Sequence, residues 1–452
     1  LRRGRRSGSR SHYLKGGCHE KVPAPARGPG PGRDGLRAGG HPTPAVTREV
    51  VVTRVEVIQE VEKPKVTVRL SGWAANPQET ALLESLLYRC SLKNPDVVVK
   101  YEPITGDYWA KIKTLVASGE EPDIYYMDIF QFPFFAAKGV LVPLDDYMAK
   151  SGVKKEDFIK TLIDAFTGPD GKVYGIPKDF NTLALFYNKD LFAKAGIPEP
   201  NENWTWDDLK EAARKLSDPA KGIYGLGVPP DPGRFPIFVF QNGGRIMKED
   251  FSDTLLDSPE AVEAARFYTS FRAEKIGAIP SDVGVDWQGT AFGQGKLAMV
   301  FEGGWLIPYL REQFPTLKWG ATFPPKGPKG RGNLIFTVAY VISKNSKNPE
   351  AAWKTIECLT SEESQTVVLS TGFALPSRAQ LTEHEYFKTH PESLVIFKGA
   401  EFGTPFMWGL RGDVVNEQMG KALERIYLEG QDVAASLQQA AEEIRKALKE
   451  QQ

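Results

Sequence analysis

The stretch Ile176–Gly227 constrains the fold of this chain more than any other. Leu183–Tyr187 is an apolar run of strand character, and it ends in a turn at Asn188–Lys189. A short helical segment follows and stops at Gly196. After a Pro/Asn-rich loop comes a helix start that can be read residue by residue. Thr205 is a favourable N-cap, and Asp208, three positions on, completes a capping box and faces the positive end of the helix. Leu209, Ala212, Ala213 and Leu216 then recur at i, i+3, i+4 and i+7, the spacing of an amphipathic helix with one buried face. Strand, helix, helix is what local physics dictates here.

The same alternation extends upstream. Strands are predicted at Val66–Leu70, Val97–Tyr101 and Asp123–Met127, with helices at Glu79–Tyr88 and Trp109–Ala117 between them. Strands alternating with helices imply βαβ units and an open doubly wound sheet, whose ligands sit beyond the carboxyl ends of the strands. A second such region spans roughly 183–330, with a helix at Pro259–Lys275 capped by Ser258 and another around Thr290–Gly295. Two helices, Val414–Glu429 and Val433–Lys449, are expected to close the chain.

Charge and composition exclude several function classes. Residues 1–45 carry ten Lys/Arg against two Asp/Glu, a surplus of eight positive charges, so the neutral whole leaves −8 for residues 46–452. A mildly acidic body lacks the basic footprint that a phosphate backbone demands, so no nucleic-acid partner is expected. No apolar run of about 18 residues is written anywhere, hence no transmembrane helix. Only five histidines are present, and just His384 and His390 lie outside the leader, in a polar stretch. The three cysteines show no metal-ligand spacing, and Cys90 and Cys358 fall in separate predicted helices, where two buried free thiols are expected, with a Cys90–Cys358 bridge as the alternative. There is no Gly-x-Ser-x-Gly elbow, Walker A loop, His-Glu-x-x-His or dinucleotide fingerprint in proper context, so neither metal nor cofactor is expected.

The leader 1–45 is Arg/Gly/Pro/Ser-rich without apolar periodicity and is expected to be disordered. Leu14–Cys18 faintly echoes a lipoprotein cleavage site, but no apolar region precedes it; the segment reads as a misassigned or damaged N-terminus. Val46–Lys63 repeats valine with Thr, Arg and Glu, and reads as an exposed stalk, with an added edge strand as the alternative.

The wording of Ile176–Gly227, with its Tyr187–Asn188–Lys189–Asp190, Ala195–Gly196–Ile197–Pro198 and Thr205–Leu209 segments, resembles the extracellular solute-binding proteins that feed ABC importers, in their carbohydrate-binding branch. Further matches follow in order: Pro122–Asp123–Ile124 leading to Asp128; Gln241–Arg245; Ala291–Phe292, Gly295–Met299 and Gly303–Gly304–Trp305; then Ile342–Ser343–Lys344 with Asn348–Trp353. The resemblance implies an α/β, two-lobed periplasmic-binding-protein-like fold, each lobe an open, mostly parallel sheet flanked by helices, with a hinge between. It places lobe 1 at 64–180 and 334–374, and lobe 2 at 181–333 and 375–452. It also implies a sugar ligand, a membrane permease as partner, a monomeric state and an extracellular, periplasmic or surface-tethered location, although no signal peptide is visible.

Sugar rings present flat C–H faces to aromatic platforms and a rim of hydroxyls to Asp, Asn, Gln and Arg. Trp305, after two glycines, is the leading platform, with Trp408 and Trp73 as further ones; the alternative for each is a core tryptophan. Carried over from the resemblance, Met127, Asp128, Phe130 and Gln131 face the cleft from the first lobe. Asn181, six residues before Tyr187, grips the ligand at the crossover. Asp231 and Arg234, in the variable loop Pro229–Phe235, set substrate choice. Alternatives are a secreted carbohydrate-active hydrolase, for which no carboxylate pair stands out, and a same-fold receptor for a phosphorylated polyol.

Overall fold

The computed structural model of the protein describes residues 65–73, 77–372 and 374–450; the leader 1–45 and the Val-rich segment 46–63 lie outside the described residues. Eleven strands occur among the described residues: β1 (Val66–Ser71), β2 (Val97–Tyr101), β3 (Ile124–Asp128), β4 (Gly175–Thr182), β5 (Ala184–Asn188), β6 (Tyr224–Gly227), β7 (Gly277–Ala278), β8 (Leu297–Glu302), β9 (Trp319–Thr322), β10 (Asn333–Ile342) and β11 (Gly403–Pro405). They form two sheets with helices packed against them.

The first sheet runs in the order β11-β10-β3-β1-β2, with β4 also on β10. Its parallel core is β2-β1-β3, the product of the βαβ units. β10 joins antiparallel to both β3 and β4, with a register shift at Val338/Ala339. The second sheet runs β7-β6-β8-β5-β9; β6 is parallel to β7 and β8, whereas β5 is antiparallel to β8 and β9. The antiparallel pairs appear where the chain crosses between sheets. β4 leads through Leu183 directly into β5, and β10 brings the chain back.

The cores explain the strand wording. Leu185 and Tyr187 of β5 enter one apolar cluster with Leu209, Phe238, Met299 and Phe301, while Ala184 and Phe186 enter another with Val300, Ile396 and Phe397. A strand covered on both faces calls for a continuous apolar run, as Ala184–Tyr187 of β5 and Leu297–Phe301 of β8 supply before the polar Asn188 and Glu302 that end them. The first lobe has its own core, in which Leu70, Ile124, Tyr125 and Ile176 meet Val341, Ile342 and Ile356 from the returning chain. Each fully buried Leu, Ile or Phe contributes about 1.5–3 kcal/mol. The predicted capping box is present: Asp208 N–H donates to Thr205 Oγ1 at 3.3 Å and Thr205 N–H donates to Asp208 Oδ2 at 2.8 Å. Leu209, Ala212, Ala213 and Leu216 form the buried face of that helix.

One expectation is overturned. Cys90 and Cys358 are not free thiols but a disulfide, with Cα atoms 5.8 Å apart. Cys90 lies on the helix Pro77–Lys93 and Cys358 on the helix Pro349–Leu359. Residues of both helices enter the first-lobe core, so the return of the chain through β10 brings together thiols 268 residues apart.

Candidate functional site

Loops at strand ends and the crossing strand β10 converge where the two lobes meet. Phe336 stands on β10, opposite Asn181 of β4. Around it runs a row of rings. Trp305 meets Phe336 edge-on at 5.5 Å, Phe336 meets Phe406 at 5.2 Å, and Phe406 stacks on Phe130 at 5.5 Å. Phe130 comes from the loop after β3 and Trp305 from the loop after β8, so the row spans the junction. These geometries suit aromatic pairs, which prefer offset or edge-to-face contacts.

The second-lobe side carries a polar network. Glu302, the last residue of β8, has no exposed surface. Its Oε2 accepts from Trp305 Nε1 at 2.7 Å and from Arg234 Nη2 at 2.7 Å, and its Oε1 accepts from Trp287 Nε1 at 2.8 Å and Gln288 Nε2 at 3.0 Å. Arg234 also pairs with Asp231 at 3.1 Å, and its guanidinium lies 5.6 Å from the Trp305 ring centroid. The carboxylates beside Arg234 hold its pKa above the ordinary guanidinium value despite burial. Asp231 Oδ1 accepts from Gly233 N–H at 2.6 Å, which folds the loop back on itself.

Asn181 sits between the lobes. Its Oδ1 accepts from the backbone N–H of Gly304 at 2.9 Å, which leaves its amide Nδ2 as the group it can offer a ligand. Both glycines before Trp305 are occupied at close range. A Cβ on Gly304 would lie 2.5 Å from Asn181 Oδ1, and one on Gly303 would lie 2.4 Å from the Trp305 ring.

Of the ten predicted residues, the structure thus gathers Phe130, Asn181, Asp231, Arg234 and Trp305 about the junction. The others are placed differently. Met127 is fully buried in the first-lobe core. Trp408 is 3 % exposed, bonded through Nε1 to Asn416 at 2.8 Å and edge-on to Phe406, so it is a core residue rather than an open platform. Trp73 packs edge-on against Tyr108 and Tyr126 at 5.2 and 5.1 Å, apart from the row. Asp128 is engaged by its own lobe: Oδ1 accepts from Gln131 N–H at 2.7 Å and Oδ2 from Trp109 Nε1 at 2.9 Å. Burial pushes its carboxyl up to about 6. Gln131 begins the helix Phe132–Ala137.

Sequence reasoning passed over Phe336, Phe406 and the role of Glu302. An acid ending a six-residue strand that is otherwise wholly apolar was the available signal, since a buried carboxylate requires partners. A separate groove of about 740 Å³ is lined among others by Phe132, Tyr174, Phe251, Met407, Leu410 and Leu448. None of the ten predicted residues lines it. Among the described residues, no group of three or more His, Cys, Asp or Glu could hold a metal ion. No described helix is long and apolar enough to cross a membrane.

Two α/β lobes joined by crossing strands, with aromatic and hydrogen-bonding side chains converging between them, define a two-lobed ligand-binding protein. The chain belongs to the bacterial extracellular solute-binding protein family, whose profile it matches over residues 76–366. It is 28 % identical over 369 residues to a binding protein of Brucella abortus (79 % of this chain, 87 % of the relative). It is 25 % identical over 327 residues to the maltotriose-binding protein of Pyrococcus abyssi (70 % of this chain, 67 % of the relative). Among solved structures, the ABC substrate-binding protein Lmo0181 from Listeria monocytogenes, in complex with cycloalternan, superposes with a TM-score of 0.77 at 26 % identity (85 % of this chain, 99 % of that one).

Proposed function

We propose that this protein is a non-enzymatic receptor that captures a sugar or oligosaccharide between its lobes and delivers it to the permease of an ABC importer. The observation that carries this reading is the convergence of Phe130, Phe336 and Trp305 with Asn181, Asp231 and Arg234 at the lobe junction. Rings offer stacking faces, and the polar groups offer the donors and acceptors that hydroxyls need. Relatives with maltotriose and cycloalternan in their names support a carbohydrate. In this reading Asn181, Asp231, Arg234, Trp305 and Phe130 contact the ligand.

Both lobes contribute contacts, so a ligand held by both stabilises their approach by its differential affinity, and the permease reads the closed shape. The protein acts as a monomer outside the cytoplasmic membrane. A disulfide between Cys90 and Cys358 supports an oxidising location.

A thermal-shift screen against neutral mono- and oligosaccharides tests the reading, since a ligand that binds only the folded form raises Tm by mass action. At least one sugar should shift Tm, and chromatography should recover it chemically unchanged after incubation. No shift from any sugar, or hydrolysis at enzyme-like turnover, would overturn the proposal.

A further inference from the structure

We infer that Glu302 is the positioning and specificity-determining residue of the second-lobe wall: it fixes the Trp305 ring and neutralises Arg234, so that the site selects uncharged polyhydroxyl ligands over phosphorylated ones. The inference rests on the sugar-receptor reading and adds a residue that touches no ligand itself.

A carboxylate without exposed surface is costly unless its oxygens are filled, and Glu302 fills them with four side-chain donors from three segments of the chain. Two of the four, Trp305 and Arg234, are the second-lobe groups placed to meet a ligand. The indole bond removes the rotational freedom of Trp305 about its side-chain torsions, so the stacking face is set before a sugar arrives. Arg234 is held at three further points: Nε donates to the Phe301 carbonyl at 3.2 Å, Nη1 pairs with Asp231, and its cation lies over Trp305.

The charge count follows from the same contacts. Asp231, Arg234 and Glu302 together carry one net negative charge. A guanidinium already shared between two carboxylates can donate to a hydroxyl, but it has little attraction left for a phosphate. The phosphate would also meet the repulsion of both acids, and selectivity gained through repulsion is as effective as selectivity gained through attraction. Replacing Glu302 by the isosteric Gln brings this wall to zero, frees one edge of Arg234 and weakens the acceptor for Trp305.

The test compares wild type, Glu302→Gln and Glu302→Asp, each titrated calorimetrically with maltotriose, lactose and sn-glycerol 3-phosphate. The indole N–H signals are followed by ¹⁵N NMR, with Trp305 assigned from Trp305→Phe. Glu302→Gln should shift the Trp305 indole signal, weaken the neutral sugar on the order of tenfold, and admit glycerol 3-phosphate. Glu302→Asp keeps the charge but shortens the reach. It should also weaken the sugar, yet continue to refuse the phosphate ester. If Glu302→Gln binds the sugar as wild type does and still excludes the phosphate, the inference fails while the sugar reading stands. If the wild type binds glycerol 3-phosphate and neither sugar, the sugar reading fails and the inference with it. If the wild type binds none of the three, an unmoved Trp305 signal in Glu302→Gln overturns the positioning role and a shifted one supports it. Should Glu302→Gln not fold, undiminished sugar affinity in Glu302→Asp overturns the inference.

Discussion

Asn181 Oδ1 accepts a hydrogen bond from the backbone N–H of Gly304 at 2.9 Å, tying the crossing strand β4 to the loop that carries Trp305, 123 residues away in sequence. Gly304 has no room for a side chain there, because a Cβ would come within 2.5 Å of the same oxygen. Asn181→Ala should weaken sugar binding by roughly 1–2 kcal/mol, through loss of both the loop contact and the amide donor. Gly304→Ala should weaken it as well, by pushing the two groups apart. The double variant should be no weaker than Asn181→Ala, since removing the amide removes the clash. Additive losses in calorimetry would show that the two residues act independently.

Trp305→Ala should weaken sugar binding by about 1–3 kcal/mol, or roughly 5- to 150-fold in Kd, through loss of a stacked face and the area it buries. Trp206→Ala is the control. Trp206 is 7 % exposed, stacks on Phe267 at 4.2 Å and donates through Nε1 to Gln241 at 2.7 Å, inside the second-lobe core. Its truncation should cost about 3–5 kcal/mol of stability and leave affinity in the folded fraction intact. The opposite pattern, with Trp305 governing stability and Trp206 affinity, would exchange their roles.

Removing the disulfide by Cys90→Ser and Cys358→Ser together should lower stability in urea by about 2–5 kcal/mol. Both cysteines belong to the first-lobe core and neither belongs to the ring row, so affinity measured on the folded variant should equal that of the parent. Equal urea midpoints for the parent with and without reductant would indicate that the bridge does not form in solution.

Asp128 should titrate with a midpoint of about 6, visible as a shift of the carboxyl carbon signal and of the Trp109 indole N–H that it accepts. Its folded-state pKa is raised above the ordinary carboxylate value because burial disfavours the charged form. The sign is therefore the reverse of a salt-bridged acid: the group costs stability above pH 6, and that cost falls away as pH drops toward 4. A midpoint near 4 would mean that its carboxylate is well solvated.

Local order was legible in the chain itself. The Thr205–Asp208 capping box, the Ser258 cap and the uninterrupted apolar runs of β5 and β8 each depend on residues a few positions apart, whose spacing alone sets which groups meet. Ordered motifs along the chain also pointed to the family and to the segment ending in Trp305. What tertiary structure decided were the encounters across long separations: Arg234 with Glu302 over 68 residues, Asn181 with Gly304 over 123, and Cys90 with Cys358 over 268. The same holds for whether an aromatic residue in a loop faces a cleft or a core. Trp408 and Trp305 read alike as sequence, yet one is sealed at 3 % exposure among the C-terminal helices and the other stands half-buried at the junction. Periodicity reports which face of one element is apolar. It carries no information about which distant element covers that face, because that depends on where β10 returns the chain.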